Sequence, residues 1–270
     1  MRLITCIICF FIYSKNYWSQ DLKMYHIAKQ EINLYSLVNH FKLNYIQEIK
    51  EFEISSFVTY GEYKKYLEHI KQDSSLYYYK LSLPNPISLP EEVLINYLNS
   101  TKYDLYPVIG VSWENALNFL KWKTLTENKT DSLKFIYRLP NCSEWIAANH
   151  YLETNKIPND FNKYFSDWTL NTFDESAYDF TDHGKYFAYD YFYFGLRNDA
   201  KVLKRKRIIG NSFLHQHQYI YMNSFHYSME GIRDVGFRYV KDDYVRLIEP
   251  REGVRTVAES VLNYWQLNIK

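Results

Sequence analysis

The sequence predicts an α+β fold of short, twisted antiparallel strands, a few capped helices and long loops. An apolar, strand-like run leads into a helix cap three times, at residues 52–59, 107–112 and 136–141. Helical periodicity of apolar residues then follows each cap. Aromatic residues make up 19% of the chain, and we interpret them as packing on half-buried faces rather than as a ligand groove.

Length and charge limit the classes of protein to consider. A chain of 270 residues is long enough for one large or two small domains with a substantial core. Its 32 basic and 31 acidic residues leave a net charge of +1, so no overall field favours nucleic acid or anionic lipid. We interpret the basic run 201–207 as a solvated lead into a strand, with a nucleic-acid patch ranked second, and expect no nucleic-acid partner.

The first 20 residues are typical of a signal peptide. Met1 and Arg2 precede an apolar run, residues 3–13, which is shorter than the roughly 20 residues of a membrane span. We expect cleavage near Ser19 and an exported mature protein, either periplasmic or associated with the outer membrane. No membrane span is expected after the signal is removed.

Signal removal would leave one of the three cysteines. Cys6 and Cys9 lie in the predicted signal, so only Cys142 would remain, and the mature chain would form no internal disulfide. Cys142 follows the predicted cap residue Asn141, and we interpret it as structural. A nucleophilic role is the alternative, because a helix N-terminus lowers a thiol pKa, but the sequence offers no evident histidine partner.

The elements are predicted in chain order as follows. Residues 21–50 are predicted as a helical lead-in from the apolar spacing of Ile32, Leu34, Leu37, Val38 and Phe41. Residues 52–58 alternate as a strand, and Thr59 with Glu62 has capping-box spacing before the next helix.

The stretch 106–145 carries the strongest pattern in the chain. Ser112 is predicted to cap a helix whose buried stripe is Trp113, Ala116, Leu117 and Leu120. Asn141 and Glu144 then repeat the capping-box spacing. Beyond them, residues 157–199 are predicted as short strands and long loops, 208–213 and 234–240 as strand-and-turn segments, and 242–270 as an amphipathic tail that packs on the core or docks on a partner.

Six segments together resemble a known family. They are Phe57–Tyr63, Tyr106–Ala116, Arg138–Trp145, Asp167–Thr169, Gly210–Phe213 and Asp234–Arg238. In this order they resemble the motifs of the formylglycine-generating-enzyme, or sulfatase-modifying-factor, domain, from its Glu-Val-Thr-Asn-x-Glu-Tyr opening to its closing Gly-Phe-Arg. The resemblance covers residues 51–241 and implies a C-type-lectin-like fold.

The resemblance implies a thiol chemistry for which this sequence lacks the residues. Oxidising members of the family bind copper through two cysteines placed between the Gly-Gly-Ser-Trp and Gly-Phe-Arg motifs, because thiolates select Cu(I). Here that interval, residues 213–236, contains no cysteine, and by counting the pair would fall near Ile220 and Phe225. We therefore predict no catalytic residues and no cofactor. Another branch adds an iron-binding helical bundle, for which residues 21–50 leave no room.

Two other ligand sets were weighed against ordinary solvated side chains. His215, His217 and His226 lie in the same interval and would suit a metal site, but we interpret them as surface or hydrogen-bonded histidines and predict no metal. Asp179, Asp182 and Asp190 could join a calcium loop of the kind that some members of the family have, but oxygen ligands spaced by loops are common, and we interpret these side chains as solvated.

The sequence around Ser112 most closely resembles the corresponding segment of the non-catalytic gliding-motility-associated lipoproteins of bacterial envelopes. We therefore predict an exported, non-catalytic binding or scaffold protein with envelope protein partners, a pseudoenzyme of this family. The first alternative is a metal-dependent oxidase that generates formylglycine from cysteine in sulfatases. The second is a carbohydrate-binding, lectin-like module.

Overall fold

A computed structural model describes residues 22–33, 46–73, 75–84, 99–128, 133–161, 163, 165–173, 194, 199–212, 225–243 and 257–266. Its strands are β1 (Met24–Ile27), β2 (Gln30–Asn33), β3 (Ile46–Ile49), β4 (Phe52–Ser55), β5 (Phe135–Arg138), β6 (Ser166–Thr172), β7 (Arg205–Ile209), β8 (Phe225–Tyr227), β9 (Val235–Gly236) and β10 (Val240–Asp243). Its α-helices are α1 (Tyr60–Asp73), α2 (Leu76–Ser82), α3 (Trp113–Asn128), α4 (Cys142–Thr154) and α5 (Val257–Tyr264), with 3-10 turns at Thr101–Tyr103 and Lys201–Lys204.

The described strands form three sheets of mainly antiparallel pairs. The first has the order β1-β4-β10-β5, in which β10 pairs with β4 and β5. The second is the pair β2-β3, and the third has the order β8-β7-β6-β9, with β9 parallel to β6. Short antiparallel strands, capped helices and long connections confirm the predicted α+β class.

The predicted helical lead-in over 21–50 is wrong for the residues that the structure describes there, which form β1, β2 and β3. Tyr25 and Ile27 are buried while His26 between them is exposed, which is the two-residue period of a strand. β1 pairs with β4 in the register Met24↔Ser55, so a distant partner decides its conformation. Residues 34–45, which supplied most of the helical spacing, lie outside the described residues.

The three predicted helix starts are confirmed by their cap hydrogen bonds. Thr59 Oγ1 accepts from the Glu62 N–H at 3.2 Å, and Ser112 Oγ accepts from the Asn115 N–H at 3.1 Å. Asn141 forms a complete capping box, because its side chain accepts from the Glu144 N–H at 2.7 Å while Glu144 accepts from the Asn141 N–H at 2.8 Å. Each cap satisfies backbone donors that the first helical turn leaves unpaired.

The main core joins α1, α3 and the C-terminal helix α5 to β5 of the first sheet and β6 of the third, while β1, β4 and β10 pack with α4 in a second cluster. The predicted α3 stripe is fully buried: Trp113, Ala116, Leu117 and Leu120 have no exposed surface. The run 106–111 contributes Val108 and Val111 to this core, and it forms a bridge between Thr59 and Pro107 instead of a regular strand.

Two glycines meet where the end of the run 106–111 approaches the loop before β9. A Cβ built on Gly231 would lie 2.0 Å from the carbonyl oxygen of Gly110, which itself has a φ of +77°. Only glycine adopts such a φ without strain and permits so close an approach. The two glycines therefore hold the end of this run against the loop before β9.

The C-terminal helix α5 belongs to the main core. Val261 and Leu262 are fully buried, Trp265 is 3% exposed, and all three lie in the cluster that contains Trp113. The tail 242–270 is predicted either to pack on the core or to dock on a partner, and its helix α5 packs on the core. No helix in the described part of the chain is long and apolar enough to cross a membrane.

Candidate functional site

The sheet β6–β7–β8 borders the interval in which the family resemblance places the thiol pair. Ile220 lies outside the described residues, while Phe225 begins β8. The Phe225 ring stacks on Phe173 with centroids 4.2 Å apart and an interplanar angle of 22°. The Arg205 guanidinium lies 4.9 Å from the Phe225 centroid and 5.1 Å from that of Phe173. This position therefore contains a cation–aromatic stack, which offers a metal ion no ligand atom.

The three candidate histidines are placed only in part. His215 and His217 lie outside the described residues. His226 is the middle residue of β8 and pairs in register with Lys206 of β7. The described part of the chain contains no group of three His, Cys, Asp or Glu side chains that could hold a metal ion. The candidate calcium ligands Asp179, Asp182 and Asp190 also lie outside it.

Cys142 is placed as a structural residue at the start of α4. Its backbone N–H donates to Asn171 Oδ1 at 2.8 Å, and its Sγ lies 3.5 Å from the Thr169 hydroxyl. The residue is 6% exposed, so a macromolecular thiol has no access to its sulfur. Its contacts join α4 to β6.

Arg238 is the centre of a buried network that joins four segments. Its Nε donates to Asp167 Oδ2 at 2.8 Å, and its Nη1 donates to Asp160 Oδ1 at 3.0 Å. The guanidinium lies between the rings of Phe57 and Phe161, 4.3 and 3.6 Å from their centroids. The sequence prediction included Arg238 as a motif residue only, and nothing in the local sequence identifies its partners.

Asp167 receives two hydrogen bonds in this network. Trp145 Nε1 donates to the same Oδ2 at 2.7 Å, so the side chain joins α4, β6 and the loop before β10. Burial raises the pKa of Asp167 to about 6, while Arg238 and the Trp145 hydrogen bond oppose the rise. The carboxylate is therefore ionised at neutral pH and balances the buried guanidinium.

A second buried arginine explains the Arg-Leu-Pro motif. Arg138 Nη1 and Nη2 donate to the two oxygens of Glu144 at 2.7 and 2.6 Å, a bidentate pair. Asp242 of β10 also accepts from the Arg138 guanidinium. Since Glu144 also closes the α4 capping box, this network ties the start of α4 to the first sheet.

Lys206 overturns the interpretation of 201–207 as a solvated run. It is 1% exposed, and Arg207 is 6% exposed. The Lys206 ammonium lies 4.0 Å from the Trp113 ring centroid and donates to Thr172 Oγ1 at 3.1 Å. Burial lowers the pKa of Lys206 to about 7, against the opposing charge of Glu114. Both faces of β7 are covered, which the charge pattern alone did not reveal.

The outer part of this basic run remains exposed and meets β8. The Lys201 ammonium lies 4.0 Å from the Tyr227 ring centroid and 3.0 Å from Glu230 Oε1. A cavity of about 160 Å³ opens beside them and is lined by Asp199, Lys201, Lys204, Tyr227, Met229 and Glu230. Aromatic, acidic and basic groups at one shallow cavity suit recognition of a charged group rather than covalent chemistry.

Comparisons with known proteins agree with this architecture. The family described as Sulfatase-modifying factor enzyme 1-like domain matches residues 44–243. Among solved structures, the chain is similar to the crystal structure of CarF with a TM-score of 0.52 and 14% sequence identity, over 82% of this chain and 98% of that one. At this identity the likeness shows the fold alone. No curated protein matches the chain.

Proposed function

This chain belongs to the family of sulfatase-modifying factor enzyme 1-like domains, and from that premise we propose that it is an exported, non-catalytic binding or scaffold protein of the bacterial cell envelope. The family and the fold are common to enzymes and to proteins without activity, so the function must be argued from the site. The proposal concerns the chemistry that the residues of this chain support.

The observation that carries the proposal is the environment of Phe225. By counting, this position lies near one of the two copper-binding cysteines of the oxidising members. Here its ring is stacked on Phe173, and the Arg205 guanidinium lies beside both rings. An aromatic ring beside a cation provides no soft ligand for Cu(I) and disfavours a positive metal ion nearby. The stack therefore supports packing or partner contact at this position.

Cys142 does not replace the missing pair. It is buried at the start of α4, with its sulfur beside a hydroxyl. A thiol exchange with a substrate cysteine requires an accessible thiolate. These contacts support a structural role for the one cysteine that follows the predicted signal.

The catalytic part of the proposal is tested with purified protein, copper, oxygen and a cysteine-containing sulfatase peptide. We expect no aldehyde, measured by capture with an aminooxy probe and by peptide mass, while an active enzyme of the family converts the peptide in parallel. Cys142→Ser is the matched variant and should give the same result as the wild type. Protein-dependent aldehyde formation would overturn the proposal, and its loss in Cys142→Ser would identify the thiol responsible.

The same preparation tests the two alternatives. The first alternative is a metal-dependent oxidase in which His215, His217 and His226 would bind the metal. It is tested by measuring the metal content of the purified wild type and of His226→Ala. A stoichiometric metal that disappears in the variant would favour that alternative. A glycan array with and without calcium tests the carbohydrate-binding alternative, for which the expected result is no reproducible binding.

Export and partnership form the remaining part of the proposal. The apolar segment that follows Met1 and Arg2 supports export. We expect the mature N-terminus, determined by terminal sequencing from the producing cells, to lie close to Gln20. Cross-linking in intact cells should then recover envelope proteins. A mature chain that retains residues 1–20 in the cytoplasm would contradict this part.

A further inference from the structure

The turn that follows β8 presents a ring, a thioether and a carboxylate together. The Glu230 N–H donates to the Tyr227 carbonyl at 3.1 Å, which closes the turn Tyr227–Glu230. Met229 is 59% exposed at its tip. This arrangement places the electron-rich Tyr227 face and the Glu230 carboxylate on the same cavity.

The turn is held in place by two other elements. The Ser228 N–H donates to the Lys204 carbonyl at 2.8 Å, and the Ser228 carbonyl accepts from the Glu114 N–H at 3.1 Å. The Ser228 hydroxyl donates to Glu114 Oε1 at 3.1 Å, and the residue is 3% exposed. The turn is therefore anchored to the Lys201–Lys204 turn and to the start of α3. A site fixed before binding loses little entropy when a ligand arrives.

The structure shows which chemical group fits this turn. The Lys201 ammonium lies 4.0 Å from the Tyr227 ring centroid and 3.0 Å from Glu230 Oε1. Aromatic faces and carboxylates are the two partners that attract ammonium groups most directly. The Lys201 side chain is 64% exposed, and exposed ion pairs of this kind are weak. A competing ammonium group can therefore displace Lys201 from Tyr227 and Glu230.

The cavity has the size and charge for such a competitor. Its volume is about 160 Å³, well above the roughly 10–15 Å³ that one water molecule needs in the same measure. The carboxylates of Asp199 and Glu230 line the cavity, and the Glu230 carboxylate already holds the Lys201 ammonium at 3.0 Å. Met229, 59% exposed, also lines the cavity and provides apolar surface for an alkyl stem.

We propose that the turn Tyr227–Glu230 is a binding site for an alkylammonium group, such as a lysine side chain of a partner protein, and that Lys201 occupies this ammonium site in the unbound chain. The inference deepens the proposed function, on which it rests, by stating the chemistry of the partner. It makes Lys201 an internal competitor that lowers the apparent affinity by the fraction of time it occupies the site.

The test uses the full chain and ligand-observed saturation-transfer NMR. Propylammonium reproduces most of a lysine side chain. It is titrated into the wild type and into Lys201→Ala, and 1-propanol serves as the uncharged control of similar shape. We expect the dissociation constant of propylammonium to be lower for Lys201→Ala than for the wild type, by a factor of about three or more. We expect 1-propanol to show no such preference.

Two further variants separate the ammonium site from non-specific binding. Lys201→Ala combined with Tyr227→Leu should lose the binding, whereas Lys201→Ala combined with Tyr227→Phe should keep it, because phenylalanine retains the aromatic face. Thermal unfolding of each variant checks that the fold is intact. Tighter propylammonium binding that survives Tyr227→Leu, or equal binding of amine and alcohol, would overturn the inference.

The outcome is distinguishable from a failure of the proposed function. If the amine does not bind and no aldehyde forms from a cysteine peptide, the ammonium site is refuted while the non-catalytic assignment stands. If inorganic phosphate binds the wild type and is lost in Lys201→Ala, Lys201 recognises an anion and the inference is wrong. If the peptide is oxidised, the proposed function fails whatever the amine does.

Discussion

Arg238 and Asp167 form an ion pair in which neither side chain has any solvent-exposed surface. The Arg238 Nε lies 2.8 Å from Asp167 Oδ2, although the two residues are 71 positions apart. Trp145 donates to the same oxygen. Three of the motifs that resemble the family therefore meet at one carboxylate, which gives them a structural role that does not depend on catalysis.

Removing one partner of this pair should destabilise the fold strongly. We expect Arg238→Met to lower the free energy of unfolding by about 3–5 kcal/mol, because Asp167 would remain as an uncompensated buried charge. The matched control is Lys29→Met, since the Lys29–Glu48 pair is 62% and 50% exposed and exposed pairs contribute little to stability. Urea denaturation measures the free energy of unfolding of both variants, and an equal loss of stability in the two would contradict the prediction.

Lys206 should make stability depend on pH. Its folded pKa of about 7 lies below the ordinary value of 10.5, so between these values the unfolded chain binds more protons than the folded one. The free energy of unfolding should therefore rise with pH, by up to about 2 kcal/mol between pH 7 and pH 9.

Lys206→Met should remove this contribution and make the protein more stable than the wild type at pH 6, where the buried ammonium is charged. Lys102→Met, at an exposed position, serves as the control for replacing a lysine by methionine. Urea denaturation at several pH values measures both variants. The same slope in the wild type and in Lys206→Met would show that the buried lysine does not titrate in this range.

The α4 capping box should contribute measurably to stability. We expect Asn141→Ala to lower the free energy of unfolding by about 1 kcal/mol, because the Glu144 N–H loses its acceptor. Asn141→Ser keeps an oxygen in the capping position and should retain most of the stability. Thermal or urea unfolding decides between them, and a serine variant as unstable as alanine would show that the cap is not the cause.

Helix α5 should behave as part of the core. Leu262 has no exposed surface, so Leu262→Ala should lower the free energy of unfolding by about 2–5 kcal/mol. Its neighbour Asn263 is exposed, and Asn263→Ala should change stability by less than about 0.5 kcal/mol. A negligible effect at Leu262 would mean that α5 is not docked on the core in solution.

The helix caps could be predicted because their bonds are local. Asn141 and Glu144 are three residues apart, so their identity and spacing alone indicate the capping box. The same holds for Ser112 and the α3 stripe beginning at Trp113. In contrast, the sequence does not predict β1, because this strand is held by β4 in a different part of the chain and apolar spacing does not reveal a distant hydrogen-bonding partner.

The candidate site can be predicted from the sequence only in part, because several of its contacts join residues that are distant in the chain. The missing cysteine pair follows from the sequence, whereas the stack of Phe225 on Phe173 joins residues that only the sheet brings together. The basic run from Lys201 was predicted as uniformly solvated. The structure instead exposes Lys201 and buries Lys206, because the first belongs to a surface turn and the second to a strand with both faces covered.

The sequence by itself determined the family, the α+β class, three helix starts and the absence of a thiol pair between residues 213 and 236. These properties depend on residue types and on spacings of a few positions. Only the tertiary structure decided that Arg238 pairs with Asp167, that Lys206 is buried against Trp113 and that Lys201 lies on Tyr227. Each of these pairs depends on chain folding that brings separated residues together, and for Arg238, Asp167 and Lys206 burial sets the energy of their charges.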